Sequence, residues 1–247
     1  MTKFDRKGRR RKWTKALAAE SSYTGKLRAI AKAVGTIVNG MAPGGLIDNP
    51  GPLVKALMEY AKLIEPWANS VAGLMLADVA RRDRSMWRQN SKEMATAIAR
   101  EVEKAPTGEI LRKLQAEQVE LIKSLPLKAA QRVHDLSVAA ITDSVRASTI
   151  AKQILETSSV TESRARLIAR TEVSRASSNL LQARSTWAGS DGYIWRTSGD
   201  DDVRDSHKAM EGVYVRWSQP PTLDGMKGHA GTLPNCRCFA EPVFPND

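Results

Sequence analysis

From about residue 14 to residue 188 this chain reads as one helical segment after another, and past Gly192 that pattern stops. The break constrains the fold more than any other feature: a long helical body must be joined to something small and differently built. Residues 14–38 are rich in Ala, Leu and Lys, and the Gly/Pro cluster over 39–45 ends them. Asn49 offers a cap to a helix opening at Gly51-Pro52, on which Leu53, Ala56, Leu57, Tyr60 and Ile64 share one face. Pro66 restarts or kinks it, a helix over 67–104 follows, and two more are expected over 109–124 and 126–156. The next is the best signposted. Ser159 followed by Glu162 is a capping-box signature. Ala165, Ile168 or Ala169, Ala176, Leu180, Ala183 and Trp187 then recur at steps of three and four, as an apolar stripe does. Glu172 and Asn179 share a face of this helix, roughly 10 Å apart along its axis.

After Gly192, residues 193–197 and 213–217 alternate large and polar side chains, as half-buried strands do, and 239–244 gives a third strand that Pro242 confines to an edge. Residues 198–202 and 219–234 read as loops, with a short helix over 203–210. The fold class is therefore α+β and predominantly α, with long helices in the N-terminal body and a small loop-rich C-terminal module of short strands. A basic flexible arm over 1–13, a helical body over 14–158 and a module over 159–247 are the expected divisions. Aromatic residues make up only 5% of the chain, which argues against a β-rich sandwich.

The formal charge of +11 invites a nucleic-acid reading, but it is unevenly placed. Residues 1–15 carry eight basic side chains against Asp5 alone, whereas residues 190–247 carry six basic and nine acidic ones. An arm bearing Lys7, Arg9, Arg10, Arg11 and Lys12, with Trp13 beside them, could reach DNA phosphates or an acidic protein groove; the plainer reading is a solvated end. No apolar stretch follows the arm as a signal peptide would need, and no run approaches a membrane span, so an intracellular setting is expected.

Two cysteines one residue apart, Cys236 and Cys238, exclude a disulfide scaffold. With His207 and His229 they make a set of soft ligands suited to a structural zinc ion, although Cys-x-Cys is tighter than the usual zinc-finger spacing; otherwise the thiols are simply reduced and inert. A rival reading takes Asp202, Asp205 and His207 as a hard-cation site of a DNA-processing, nuclease-like enzyme. Against it, the Asp200-Asp201-Asp202 run serves equally as a solvated turn or as a cap on the short helix. His134 lies mid-helix and reads as a surface residue. Phosphate-binding glycine loops and the hydrolase motifs of zinc and serine enzymes do not occur in the sequence.

Taken in order, Ile168-Ala-Arg-Thr-Glu172, Ala176, Asn179, Trp195, Asp202-Val-Arg-Asp-Ser-His207, Gly212, Pro234-Asn-Cys-Arg-Cys238 and Pro242 resemble the signature of the phage Mu F-like minor head protein family, also called the phage head morphogenesis family. The resemblance covers about residues 110 to 245. It implies a structural, non-enzymatic virion protein of a tailed double-stranded DNA phage. Such a protein would bind the portal and other head or neck proteins, act in head assembly and in DNA packaging or ejection, and lie in the head near the portal after assembly in the host cytoplasm. It also implies structural roles for Glu172 and Asn179, tying loops to the long helix beside the strand of Trp195, and for His207, Cys236 and Cys238, holding the terminal loops. His229 stands seven residues before Cys236, farther than the histidine many family members carry.

Overall fold

The computed structural model describes residues 16–47, 49–90, 104–142 and 147–244. The chain is predominantly helical with short antiparallel strands near its C-terminal end, the α+β class expected. The long helices are α1 (Leu17–Met41), α2 (Gly51–Leu63), α3 (Glu65–Asn90), α4 (Gly108–Thr142), α5 (Ala147–Leu155) and α6 (Thr157–Trp187).

Where two helices were expected on either side of residue 125, α4 runs straight through Pro126. A proline inside a helix costs about 3 kcal/mol. Ile122, Leu125, Ala129, Ala130 and Val133 nevertheless recur on one buried face across it, and their burial carries the helix through. Helix α6 starts at Thr157 rather than at the Ser159 capping box. Ser159 Oγ donates to the Glu156 carbonyl at 2.8 Å, and Glu162 is drawn away to Arg28 (2.9 Å) and Arg166 (2.6 Å). The stripe on α6 is buried at Ala165, Ile168, Ala169, Ala176 and Leu180, but Trp187 is 50% exposed. Residues 91–103 of the helix expected over 67–104 lie outside the described residues.

The chain forms two compact units, each assembled from separate stretches. One comprises Glu20–Leu74 and Gln115–Ala169. Its core is built by Tyr23, Leu27, Ile30 and Val34 of α1, Leu53 and Leu57 of α2, Ile122 and Leu125 of α4, and Ile154 of α5. The Tyr23 hydroxyl donates to Gln118 Oε1 at 3.0 Å, which satisfies two buried polar groups at once. Pro50 takes the N-cap position of α2, and Asn49, expected as the cap, stands one residue earlier with its Oδ1 accepting the Gly51 amide at 3.0 Å. The turn Pro43–Gly45 leads from α1 toward α2. At Gly45, φ is +77° and a Cβ would overlap the Ala151 backbone, so only glycine fits.

The other unit comprises the described residues of Met75–Leu114 and Arg170–Asp247, with residues 16–19. Strand β1 (Gly192–Arg196) is central, paired antiparallel with β2 (Tyr214–Arg216) and with β5 (Phe239–Val243); Tyr193 faces Val215 on one side and Pro242 on the other. Pro242 thus sits on an edge strand, where its missing donor costs least. Half-burial was expected of β1, yet every residue in it is buried, within a core that draws on Trp87 of α3, Leu181 of α6, Val213, Val215, Trp217 and Leu233. A hairpin of β3 (Thr222–Leu223) and β4 (Met226–Lys227) forms in what read as loop. Its tip, Asp224-Gly225, has φ of +52° and +75°, the conformation that Asp-Gly favours in tight hairpins. Helix α7 is limited to Asp205–Lys208.

Candidate metal centre

Helix α6 carries three small hydroxyl side chains at Thr171, Ser174 and Ser178, spaced by three and four residues and so on one face. Each meets a loop of the C-terminal segment. Thr171 Oγ1 accepts the Asn235 amide at 3.1 Å, Ser174 Oγ donates to the Cys236 carbonyl at 3.3 Å, and Ser178 Oγ donates to the Ala230 carbonyl at 2.9 Å. These bonds press two loops onto the helix. At Gly231, φ is +81°, and a Cβ would collide with Ser178 Oγ and lie 2.9 Å from the Cys238 carbonyl. Glu172, expected to make such ties, is buried and pairs with Arg175 one turn on at 2.6 Å, while Asn179 is half-buried on the same helix. Thr171, Ser174 and Ser178 thus supply ties to the loops, a hydroxyl pattern that the sequence spacing already contained.

The loops so held bring Cys236 and Cys238 to His207 of α7. All three are buried, and His207 Nδ1 lies 3.5 Å from each sulfur. A tetrahedral zinc ion with its usual Zn–N and Zn–S lengths would set nitrogen and sulfur ligands about 3.5 Å apart. The three donors are of the kinds that bind zinc, their nitrogen–sulfur separations match, and they supply three of the four positions of a tetrahedral site. The Gly231 amide points at Cys236 Sγ from 3.4 Å, a donor that favours a thiolate. The Cys238 thiol donates to Cys236, which pulls Cys236 below the ordinary thiol range and pushes Cys238 up. Trp195, wholly buried in β1, stands edge-on to the His207 ring with centroids 5.6 Å apart.

His229 is not brought into this group. Its Nδ1 lies 3.2 Å from the Tyr193 hydroxyl and its Nε2 lies 3.1 Å from the Trp217 carbonyl. The Tyr193 oxygen also accepts the Ala230 amide. With both ring nitrogens engaged between two aromatic rings, this histidine braces the core, and burial lowers its pKa. Among the described residues the group that could hold a metal is His207, Cys236 and Cys238.

The carboxylates of the nuclease-like reading do not converge. Asp205 has a side chain 97% exposed beside Lys208, His207 is buried against the cysteines, and Asp202 joins Asp200 on Arg237 at 3.0 and 2.8 Å. The aspartate run thus holds the arginine between the two cysteines. A cavity of about 430 Å³ beside the sheet is lined by Arg196, Thr197, Glu211 and Glu241, among others. Its charges engage one another: Arg196 meets Glu241 at 2.6 Å and Glu211 at 3.2 Å. The basic side chains Lys7, Arg9, Arg10, Arg11 and Lys12 lie outside the described residues. No helix among the described residues is long and apolar enough to cross a membrane.

A long helix with small hydroxyls on one face, a three-stranded antiparallel sheet and loops gathered at a His/Cys/Cys group define a compact helix-and-loop module. Residues 131–241 match the family described as Phage Mu protein F like protein, and over that stretch the resemblance read from the ordered residues is borne out. The family is one of phage head morphogenesis. A protein of Haemophilus influenzae (strain KW20/Rd), itself uncharacterized, is 33% identical over 134 residues, which is 54% of this chain and 29% of the relative; the chain thus matches less than a third of that protein's length. No solved structure matches.

Proposed function

We propose that the chain is a structural minor head protein of a tailed double-stranded DNA phage or prophage, binding the portal and acting in head assembly and in DNA packaging or ejection. The observation that carries this reading is the Mu F-like match over residues 131–241, the same stretch in which α6 and the His/Cys/Cys loops form one bonded unit. The work done is binding and positioning rather than bond-making. A structural zinc ion on His207, Cys236 and Cys238 would tie the terminal loop to the short helix of His207. The basic arm, with Lys7, Arg9, Arg10, Arg11 and Lys12, would contact packaged DNA; removing residues 2–12 should flatten the salt dependence of DNA retention, and an unchanged slope would exclude the arm from it.

Co-expression with the portal protein encoded by the same phage tests the portal assignment. The two should leave size-exclusion chromatography as one complex, whose mass light scattering reports. Separate elution at micromolar concentrations of both would refute it.

A further inference from the structure

We infer that Asp224 is the outer-shell carboxylate of the His207–Cys236–Cys238 centre, a positioning residue that fixes the histidine's tautomer and orientation toward the metal. This rests on the zinc reading above and adds to it a residue that belongs to none of the sequence motifs.

Nδ1 of His207 is the nitrogen that faces both sulfurs, so it is the one that would bind the ion. The ring proton then resides on Nε2, which is buried and has no hydrogen-bond partner in the present geometry. A buried donor left so is costly, and metal-bound histidines ordinarily give this proton to a carboxylate or carbonyl. Asp224 Oδ2 stands 3.8 Å from Nε2, about 0.6 Å beyond hydrogen-bond reach.

Two features hold that carboxylate in place. Asp224 occupies the tip of the β3–β4 hairpin at φ +52°, a conformation that Asp tolerates better than most residues. Arg204, three residues before His207, bonds Asp224 Oδ2 at 3.2 Å through one terminal nitrogen and the Pro234 carbonyl through the other. One guanidinium thus joins the hairpin tip, the histidine's helix and the loop that leads into Cys236. With strands of two residues each, the hairpin buries little, and delivery of this carboxylate gives it a role.

The test uses the full chain, stripped with chelator and titrated with zinc against a chromophoric competitor, and with cobalt(II) to read thiolate ligation. Wild type, Asp224→Gly and Asp224→Asn are compared; glycine accepts the positive φ without a side chain, and asparagine keeps an acceptor of the same reach. All three should bind one ion with the same thiolate-to-cobalt absorption and the same cobalt d–d bands. Asp224→Gly should bind zinc about 10- to 100-fold more weakly, with Asp224→Asn between it and wild type. Wild-type zinc affinity in Asp224→Gly would overturn the outer-shell role while leaving the zinc reading intact. Altered d–d bands in Asp224→Gly would make Asp224 a ligand and overturn it as well. No uptake of zinc by wild type would defeat both readings together.

Discussion

Gly231 is where the centre has least room for change, because its amide faces Cys236 Sγ while its Cα packs under the hydroxyl of Ser178. Gly199 shares the left-handed backbone, with φ +73°, but has open space where a Cβ would stand. Alanine at Gly199 should therefore cost only the conformational strain, about 1 kcal/mol. Alanine at Gly231 adds a collision with α6 and should cost about 3 kcal/mol or more. Urea unfolding of the two variants separates these expectations; equal losses would mean that the loop yields and that the Ser178 contact is unimportant. Glu211 supplies a pH signature. Burial works to raise its carboxyl, but bonds from the Thr197 amide and hydroxyl and the Arg196 guanidinium outweigh this and hold it below the usual carboxylate range. A depressed folded-state pKa stabilises above the unfolded value near pH 4.3, and that contribution disappears as pH falls through the lower folded value. Glu211→Gln should therefore lose stability at neutral pH but show a shallower decline than wild type below about pH 4. Parallel acid-unfolding curves would contradict the assignment.

Among the secondary-structure elements, α3 and α6 are linked by a buried ion pair, Arg184 Nε to Asp83 Oδ2 at 2.6 Å, both side chains at most 6% exposed. Burial raises the Asp83 carboxyl despite its partner, the mark of a charge taken from water at a cost. Arg184→Ala strands that charge and should destabilise by about 3–5 kcal/mol, whereas joint replacement of Arg184 and Asp83 by Met and Leu should recover most of the loss. Thermal unfolding of the single and double variants checks this; a double variant as weak as the single would show that the pair itself is favourable. Much at this scale was legible in the chain. The stripe on α6, the Asn49 turn into α2 and the edge position of Pro242 follow from local chemistry. The departures came from distant partners: Glu162 leaves its capping role for Arg28, and Pro126 is overridden by a buried face that spans it. The Asp224-Gly225 hairpin is a missed local signal, since Asp-Gly between Thr222-Leu223 and Met226-Lys227 is a strong turn pair even in strands this short.

For the molecule as a whole, the linear order conceals how the chain is assembled. Helices α3, α4 and α6 each contribute residues to both compact units, so chain order does not follow compactness. The candidate centre was legible in part for the same reason. Cys236 and Cys238 announce a ligand pair by adjacency, and His207 joins them through the ordered motif, but the sequence also offers His229 as a fourth ligand. Only the fold shows that Tyr193 and the Trp217 carbonyl already occupy both nitrogens of His229. The net charge of +11 likewise described the first fifteen residues more than the module, which is acidic past residue 190. The function proposed for this assembly is a place in a phage head. The most direct measurement is the protein content of heads purified from the phage or induced prophage that encodes the chain, taken by quantitative mass spectrometry before and after gradient purification. The chain should stay with the heads at a fixed ratio to the portal protein through every step. Heads that are complete and DNA-filled but lack the chain would contradict it.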